Sequence, residues 1–170
     1  NRIASRAWVT WFLIAVLLGG TGLFVYEYLT QGENWVLSPG SPHIYDDHGK
    51  VTGTIVDRNG ILLLDQRNGG TYSDREQLRK AILHWVGDRK GNIRAGAVSH
   101  YSKLLAGYDP VNGVYAYGGV GGTAKLTISA QLQMAALEAM GDYVGTLAVY
   151  NYETGEILCA VTTPTFDPDN

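Results

Sequence analysis

A chain of 170 residues has room for about one ordinary domain, and a net charge of −3 with a pI near 5.7 gives no electrostatic case for a nucleic-acid partner. The single cysteine, Cys159, excludes an internal disulfide, and its place in an apolar run reads as that of a small buried hydrophobe. The 22 glycines concentrate in loops.

The N-terminus carries the clearest physical signal. From Ala7 to Tyr26 there are 20 residues without a charge, enough helix to cross about 30 Å of hydrocarbon. Arg2 and Arg6 precede this run, and Glu27 and Glu33 follow it. The expected arrangement is a single-pass cell-membrane anchor with a cytoplasmic N-terminus and the bulk of the chain outside the cytoplasm. The lipid bilayer is then a partner through residues 7–26. Trp8 and Trp11 at one end and Tyr26 and Tyr28 at the other suit the two interfaces. A cleaved signal peptide would have a shorter apolar core and an Ala-x-Ala site, which does not follow here. The Gly19-Gly20-Thr21-Gly22 cluster reads as ordinary glycine content of a membrane helix.

Residues 30–52 read as a juxtamembrane linker rich in turn formers. His43, Asp46, Asp47 and His48 offer metal-ligand atoms, but without a scaffold to position them they read as a solvated loop. Thr54–Val56 and Ile61–Leu64 flank Asp57-Arg58-Asn59-Gly60, the best local hairpin signal in the chain, with Asp57 and Arg58 as turn-stabilising polar groups.

Ser73-Asp74-Arg75-Glu76 has the pattern of a capping box. The helix after it places Leu78, Ala81, Ile82 and Trp85 on one apolar face, leaves His84 beside that face, and is expected to end near Gly87. A second short helix is expected from Val98 to Ala106, stopped by Gly107. The glycine-rich stretch 109–124 reads as a connector: Gly122 and Lys125 are separated by Thr123 and Ala124, which breaks the contiguity a phosphate-binding loop needs. Lys125–Ile128 reads as a short extended segment. Ser129 can cap a following helix whose Leu132, Ala135, Ala136, Ala139 and Met140 recur at helical spacing and are expected to pack on the terminal hairpin.

That hairpin is formed by Thr146–Tyr150 and Glu156–Thr162 around the polar bend Asn151–Gly155. Leu147 and Val149 alternate with Ala148 and Tyr150, and Ile157, Cys159 and Val161 with Leu158 and Ala160. Both faces are apolar, so the ribbon is expected to be covered on both sides. Two strands alone bury too little surface to be stable in water. The hairpin therefore reads as the opening edge of a larger sheet whose remaining strands are not in this sequence.

Residues 150–170, Tyr-Asn-Tyr-Glu-Thr-Gly-Glu-Ile-Leu-Cys-Ala-Val-Thr-Thr-Pro-Thr-Phe-Asp-Pro-Asp-Asn, resemble the first hairpin of the transpeptidase domain in class B penicillin-binding proteins, which cross-link bacterial peptidoglycan. Three upstream stretches agree in order and approximate spacing: Gly-Thr-Ile-Val-Asp-Arg-Asn-Gly-Ile-Leu-Leu (53–63), Ala-Ile-Leu-His-Trp-Val-Gly-Asp (81–88) and Lys-Leu-Thr-Ile-Ser-Ala-Gln-Leu-Gln (125–133). Ser129 stands where the family often has Asp.

The resemblance implies an α+β fold: a cytoplasmic stub and transmembrane anchor (1–29), the linker (30–52), a hairpin-plus-helices pedestal (53–108), the glycine-rich linker (109–124), and the first helix and hairpin of an incomplete transpeptidase domain (125–170). It also implies two protein partners, the remainder of that transpeptidase domain and a glycan-polymerising membrane protein.

The family's chemistry needs Ser-x-x-Lys, Ser-x-Asn and Lys-Thr/Ser-Gly, and none of these occurs. Ser99 and Lys103, spaced i, i+4, read as exposed polar residues rather than a dyad. No catalytic, cofactor or metal residue is expected, and the chain is expected to be inactive alone. Its expected role is the non-catalytic N-terminal portion of a penicillin-binding protein, positioning the transpeptidase domain. The alternative is a non-enzymatic membrane-tethered adaptor of a wall-synthesis complex.

Overall fold

A computed structural model describes residues 2–36, 53–67, 70–88, 92–93, 96–109, 111 and 121–170. The chain divides into two units, Asn1–Val36 and Leu37–Asn170.

The first unit is one helix, α1 (Arg2–Val36). Within it Ala7–Gly32 contains an 18-residue stretch of mean hydropathy 2.0 and is long and apolar enough to cross a membrane. This is longer than the uncharged run ending at Tyr26, because Glu27 and the polar residues after it continue the helix without interrupting its backbone. The glycine cluster does not break it either. The Thr21 hydroxyl donates to the Leu17 carbonyl at 2.8 Å, and a Cβ on Gly19, Gly20 or Gly22 would meet nothing within 4 Å. His43, Asp46, Asp47 and His48 lie outside the described residues.

The second unit begins with a hairpin, β1 (Thr54–Val56) and β2 (Leu62–Asp65), extended by β3 (Thr71–Tyr72). The turn is the expected one. Gly60 takes φ +86°, and the Asp57 Oδ1 accepts the backbone N–H groups of Asn59 at 2.7 Å and Ile61 at 2.8 Å. A fourth strand, β4 (Thr123–Lys125), pairs in parallel with β1, giving the order β3-β2-β1-β4. The sheet thus draws on residues before and after the glycine-rich stretch. The extended segment also starts earlier than Lys125 and ends there, since register with Thr54–Val56 sets its length. Gly121 enters this strand so close to the helix below that a Cβ would lie 1.9 Å from the Leu105 carbonyl oxygen, which only glycine tolerates.

Helix α2 (Glu76–Val86) ends at Gly87 as expected but does not begin with a capping box. Its N-cap is Arg75 with no side-chain cap, and the Ser73 hydroxyl accepts the N–H of Arg75 rather than that of Glu76. The reason lies in two competing contacts. The Arg79 guanidinium donates to the Ser73 and Asp74 carbonyls, each at 3.1 Å, holding them outside the helix, while Glu76 pairs forward with Lys80 at 2.6 Å.

The apolar face is also wider than the expected one. Leu78, Ala81, Ile82, Leu83 and Val86 are buried, because α2 packs against β2 on one side and against the later helix and hairpin on another. Trp85, expected on that face, is instead 36% exposed.

The single helix expected over Val98–Ala106 is two: α3 (Ala97–His100) and α4 (Ser102–Ala106), broken at Tyr101 (φ −99°, ψ 17°). Gly107 ends α4 in the left-handed region, at φ +61°. Helix α5 (Ala130–Met140) leads to β5 (Gly145–Tyr150) and β6 (Ile157–Thr163), an antiparallel pair separate from the first sheet. Ile55, Leu63, Leu64, Leu78, Ile82, Leu83, Val98 and Leu105 form the deepest part of the core, and Ala81, Ala136, Cys159 and Val161 tie α2 and α5 to the hairpin. The architecture is the expected α+β.

Candidate functional site

The terminal hairpin is the element with the least ordinary environment. Its strands pair in register from Gly145↔Thr163 to Tyr150↔Ile157, with an irregularity between Val149 and Tyr150. The bend is held by Asn151, whose side-chain oxygen accepts the Glu153 N–H at 2.9 Å, and by Gly155 at φ +74°.

One edge of this ribbon is closed by the chain itself. The Leu158 carbonyl accepts the Ser129 N–H at 2.8 Å, the Ile157 carbonyl accepts the Thr127 hydroxyl at 2.8 Å, and the Ala160 N–H donates to the Gln133 Oε1 at 3.0 Å. The other edge, along β5, has no strand beside it among the described residues.

Cover follows the same asymmetry. Cys159, Ala160 and Val161 of β6 are buried, whereas along β5 only Gly145 and Leu147 are even half-buried. Val149 is 43% exposed and Tyr150 65% exposed, with Tyr143, Val144 and Tyr152 more exposed still. The expectation of cover on both sides therefore fails along β5, because α2 and α5 pack on the β6 side.

Helix α5 seats the hairpin through a face that the apolar spacing identified only at Ala136. Leu132, Ala135 and Ala139 are exposed, and the packed residues are Ala130, Gln133 and Ala136 with Leu137 half-buried. Gln133 is fully buried. Its Oε1 also receives the Cys159 thiol at 3.3 Å, and its Nε2 has no hydrogen-bond partner among the described residues. Pattern reading assigns a polar residue outward, so only the i, i+3 spacing to Ala130 and Ala136 could have marked it. Burial pushes the Cys159 thiol pKa up, which suits a structural thiol rather than a nucleophile.

Two anchors fix α5 and the hairpin to the rest of the unit. At the N-terminus of α5, Ser129 is the N-cap as expected, its Oγ accepting the Leu132 N–H at 3.5 Å. Asp57 adds a second acceptor: its Oδ2 receives the Ala130 N–H at 3.1 Å, and the Arg58 N–H donates to the Ile128 carbonyl at 3.0 Å. Asp57 is thus the expected turn residue and also a long-range cap.

Beyond β6, Arg79 and Asp167 form a two-pronged ion pair, Nε to Oδ1 at 2.8 Å and the terminal nitrogen to Oδ2 at 2.6 Å. That hydrogen-bonded guanidinium lowers the Asp167 pKa to about 2. The Thr165 hydroxyl donates to the Lys80 carbonyl at 2.7 Å, so the segment after β6 runs back onto α2.

The remaining singled-out residues do not converge on a site. His84 is half-buried on α2, and Ser99 and Lys103 lie on α3 and α4, where the break at Tyr101 removes the helical spacing that related them. Among the described residues no three metal-ligating side chains come together.

No protein-family model matches the sequence, and a search of curated proteins finds no match either. Among solved structures, that of Pseudomonas aeruginosa PBP2 in complex with WCK 5153 matches with a TM-score of 0.54 and 24% sequence identity. The match covers 70% of this chain and 28% of that one, so this chain spans a little over a quarter of its length. The mixed α+β fold of this chain is thus penicillin-binding-protein-like.

Proposed function

We propose that this chain is the non-catalytic N-terminal portion of a membrane-anchored class B penicillin-binding protein, and that it positions a transpeptidase domain that cross-links peptidoglycan. The observation that carries the proposal is the asymmetry of the terminal hairpin. One edge is sealed by Ser129, Thr127 and Gln133, while the other, along β5 with exposed Val149 and Tyr150, has no strand beside it among the described residues. An open apolar strand is an aggregation hazard in water, and pairing with a further strand removes it. The likeness to PBP2 supports the same assignment, since the shared fold occupies 28% of that longer chain.

In this reading α1 holds the chain in the bilayer with its N-terminus in the cytoplasm. The sheet and helices outside raise the hairpin above the membrane and offer surface to a glycan-polymerising membrane protein. The work is mechanical. The acylating serine and its lysine belong to residues other than these, since Ser-x-x-Lys does not occur here.

The test is to detect the native product with an antibody to residues 130–170 and to label the same membranes with fluorescent penicillin. A labelled species far above 18.5 kDa is expected. An unlabelled product of 18.5 kDa whose exported part is a cooperatively folding monomer overturns the proposal and leaves a tethered adaptor.

A further inference from the structure

A cleft of about 620 Å³ lies where the end of α2, the α3–α4 break, the β4–α5 connection and the β5–β6 turn meet. Its volume falls in the range of about 300–1,000 Å³ common for small-molecule sites. It is distinct from the β5 edge: Ala97 and Ile128 of its lining belong to the buried core and the Thr127 hydroxyl also seals the hairpin, while the Trp85, Tyr101 and Lys125 side chains serve neither.

Three features of the lining define what fits. Trp85 and Tyr101, 36% and 37% exposed, supply aromatic surface from α2 and from the helix break. The Tyr101 ring is braced edge-on by His100, with centroids 4.9 Å apart and planes at 90°. These aromatics lie outside the core although both are large enough to have been buried, and the two deviations of the helices from their expected form, the displaced Trp85 and the break at Tyr101, are what place them here.

Polar groups surround them: the Thr127 and Thr154 side chains, backbone at Gly96 and Gly155, and Glu156. The charge is nearly balanced. Glu156 lies 3.7 Å from Arg58, and Lys125 is the one lining ammonium, with no ion pair among the described residues. One ammonium is too little for a polyanion such as nucleic acid, whose binding rests on several phosphate contacts. The Thr127 hydroxyl donates to the Ile157 carbonyl and the Thr154 hydroxyl to Glu156, so the cost of a purely apolar ligand falls on the Lys125 ammonium and the half-exposed Arg58–Glu156 pair, which it would take out of water.

The chemistry that satisfies both halves of the lining is a saccharide. Its C–H faces stack on aromatic rings, and its hydroxyl and acetamido groups hydrogen-bond around the ring. We infer that this cleft binds a short stretch of a near-neutral glycan strand, with Trp85 and Tyr101 as stacking surfaces and Lys125 as a hydrogen-bond donor to it. The inference does not depend on how the β5 edge is completed.

The experiment uses the full chain in micelles of a detergent without a sugar headgroup, with the tryptophan indoles isotopically labelled and N-acetylglucosamine tetrasaccharide as the probe. The Trp85 indole signal is assigned by its loss in Trp85→Phe. A saturable shift of that signal is expected, with those of Trp8, Trp11 and Trp35 unmoved. Tyr101→Ala weakens the affinity by about tenfold, the effect of one lost aromatic face, and Lys125→Gln weakens it less. Val111→Ala, at an exposed position outside the cleft lining, leaves it unchanged. No saturable shift in the unmodified chain, or equal shifts of all the tryptophans, overturns the inference whatever the variants do. An equal response to a short neutral peptide also overturns it and assigns the cleft to peptide.

Discussion

The carboxylate of Asp57 accepts the backbone N–H of Ala130 across 73 residues of sequence. The same buried side chain closes the β1–β2 turn through Asn59 and Ile61, so one group ties the first hairpin to the helix that carries the last one. Replacing Asp57 with Ala removes an acceptor for three N–H groups at once and is expected to cost about 3 kcal/mol of unfolding free energy. Asp57→Asn, which keeps one acceptor oxygen, costs less. Urea unfolding measures the loss, and amide exchange accelerated together at Asn59, Ile61 and Ala130 identifies its source.

The Arg79–Asp167 pair predicts a pH dependence of definite sign. The folded Asp167 pKa is lowered from 3.8 to about 2, chiefly by the hydrogen-bonded Arg79 guanidinium. The unfolded chain therefore takes up the proton first as pH falls. The stabilising contribution is fully present about one unit above the unfolded value of 3.8, declines as pH drops through 3.8, and is lost as pH falls through about 2. Asp167→Asn is expected to be less stable than the parent at neutral pH and to show a shallower acid decline. Parallel pH series of urea unfolding check this, and identical slopes would contradict it.

Gln133 is buried for its oxygen. Gln133→Leu keeps a comparable volume but strands the Ala160 N–H, at an expected cost of about 2 kcal/mol. The same change also removes an Nε2 that has no partner among the described residues, which offsets part of that loss. Gln133→Glu restores the acceptor while burying a charge, and is expected to be the worse variant at neutral pH. Ranking the two by thermal unfolding, with Ala160 amide exchange as the local readout, separates acceptor loss from packing loss.

An exposed strand edge leads to self-association. Val149→Lys places a charge on the open strand at a 43% exposed position that pairs across the ribbon with Cys159 but lies outside the Ala81–Ala136–Cys159–Val161 cluster. The variant is expected to keep the unfolding midpoint within about 0.5 kcal/mol of the parent and to sediment with a lower mass in detergent at high protein concentration. An unchanged mass distribution would show that the edge is not the sticky surface.

Composition and period were enough for several features. An uncharged run as long as Ala7–Tyr26, rich in Leu, Val, Ile and Phe, favours one unbroken apolar helix, Asn59-Gly60 has a low-cost positive φ, and the alternation around Asn151–Gly155 has one compatible ribbon. These follow from local rules, in which each residue's preference depends on its own backbone and near neighbours.

Local rules failed wherever a distant group had a stronger claim. Ser73 lost its capping role because Arg79, itself bound to Asp167, holds the Ser73 and Asp74 carbonyls. Gln133 turned inward because the Ala160 N–H on β6 needs an acceptor. Trp85 left the expected face because α2 packs on two neighbours, and five other side chains fill that space. What the sequence by itself determined is therefore which segments become helix, strand and turn. Only the tertiary structure decided which of their faces meet, because hydrogen bonds and packing between residues far apart in sequence leave no periodic trace in either partner.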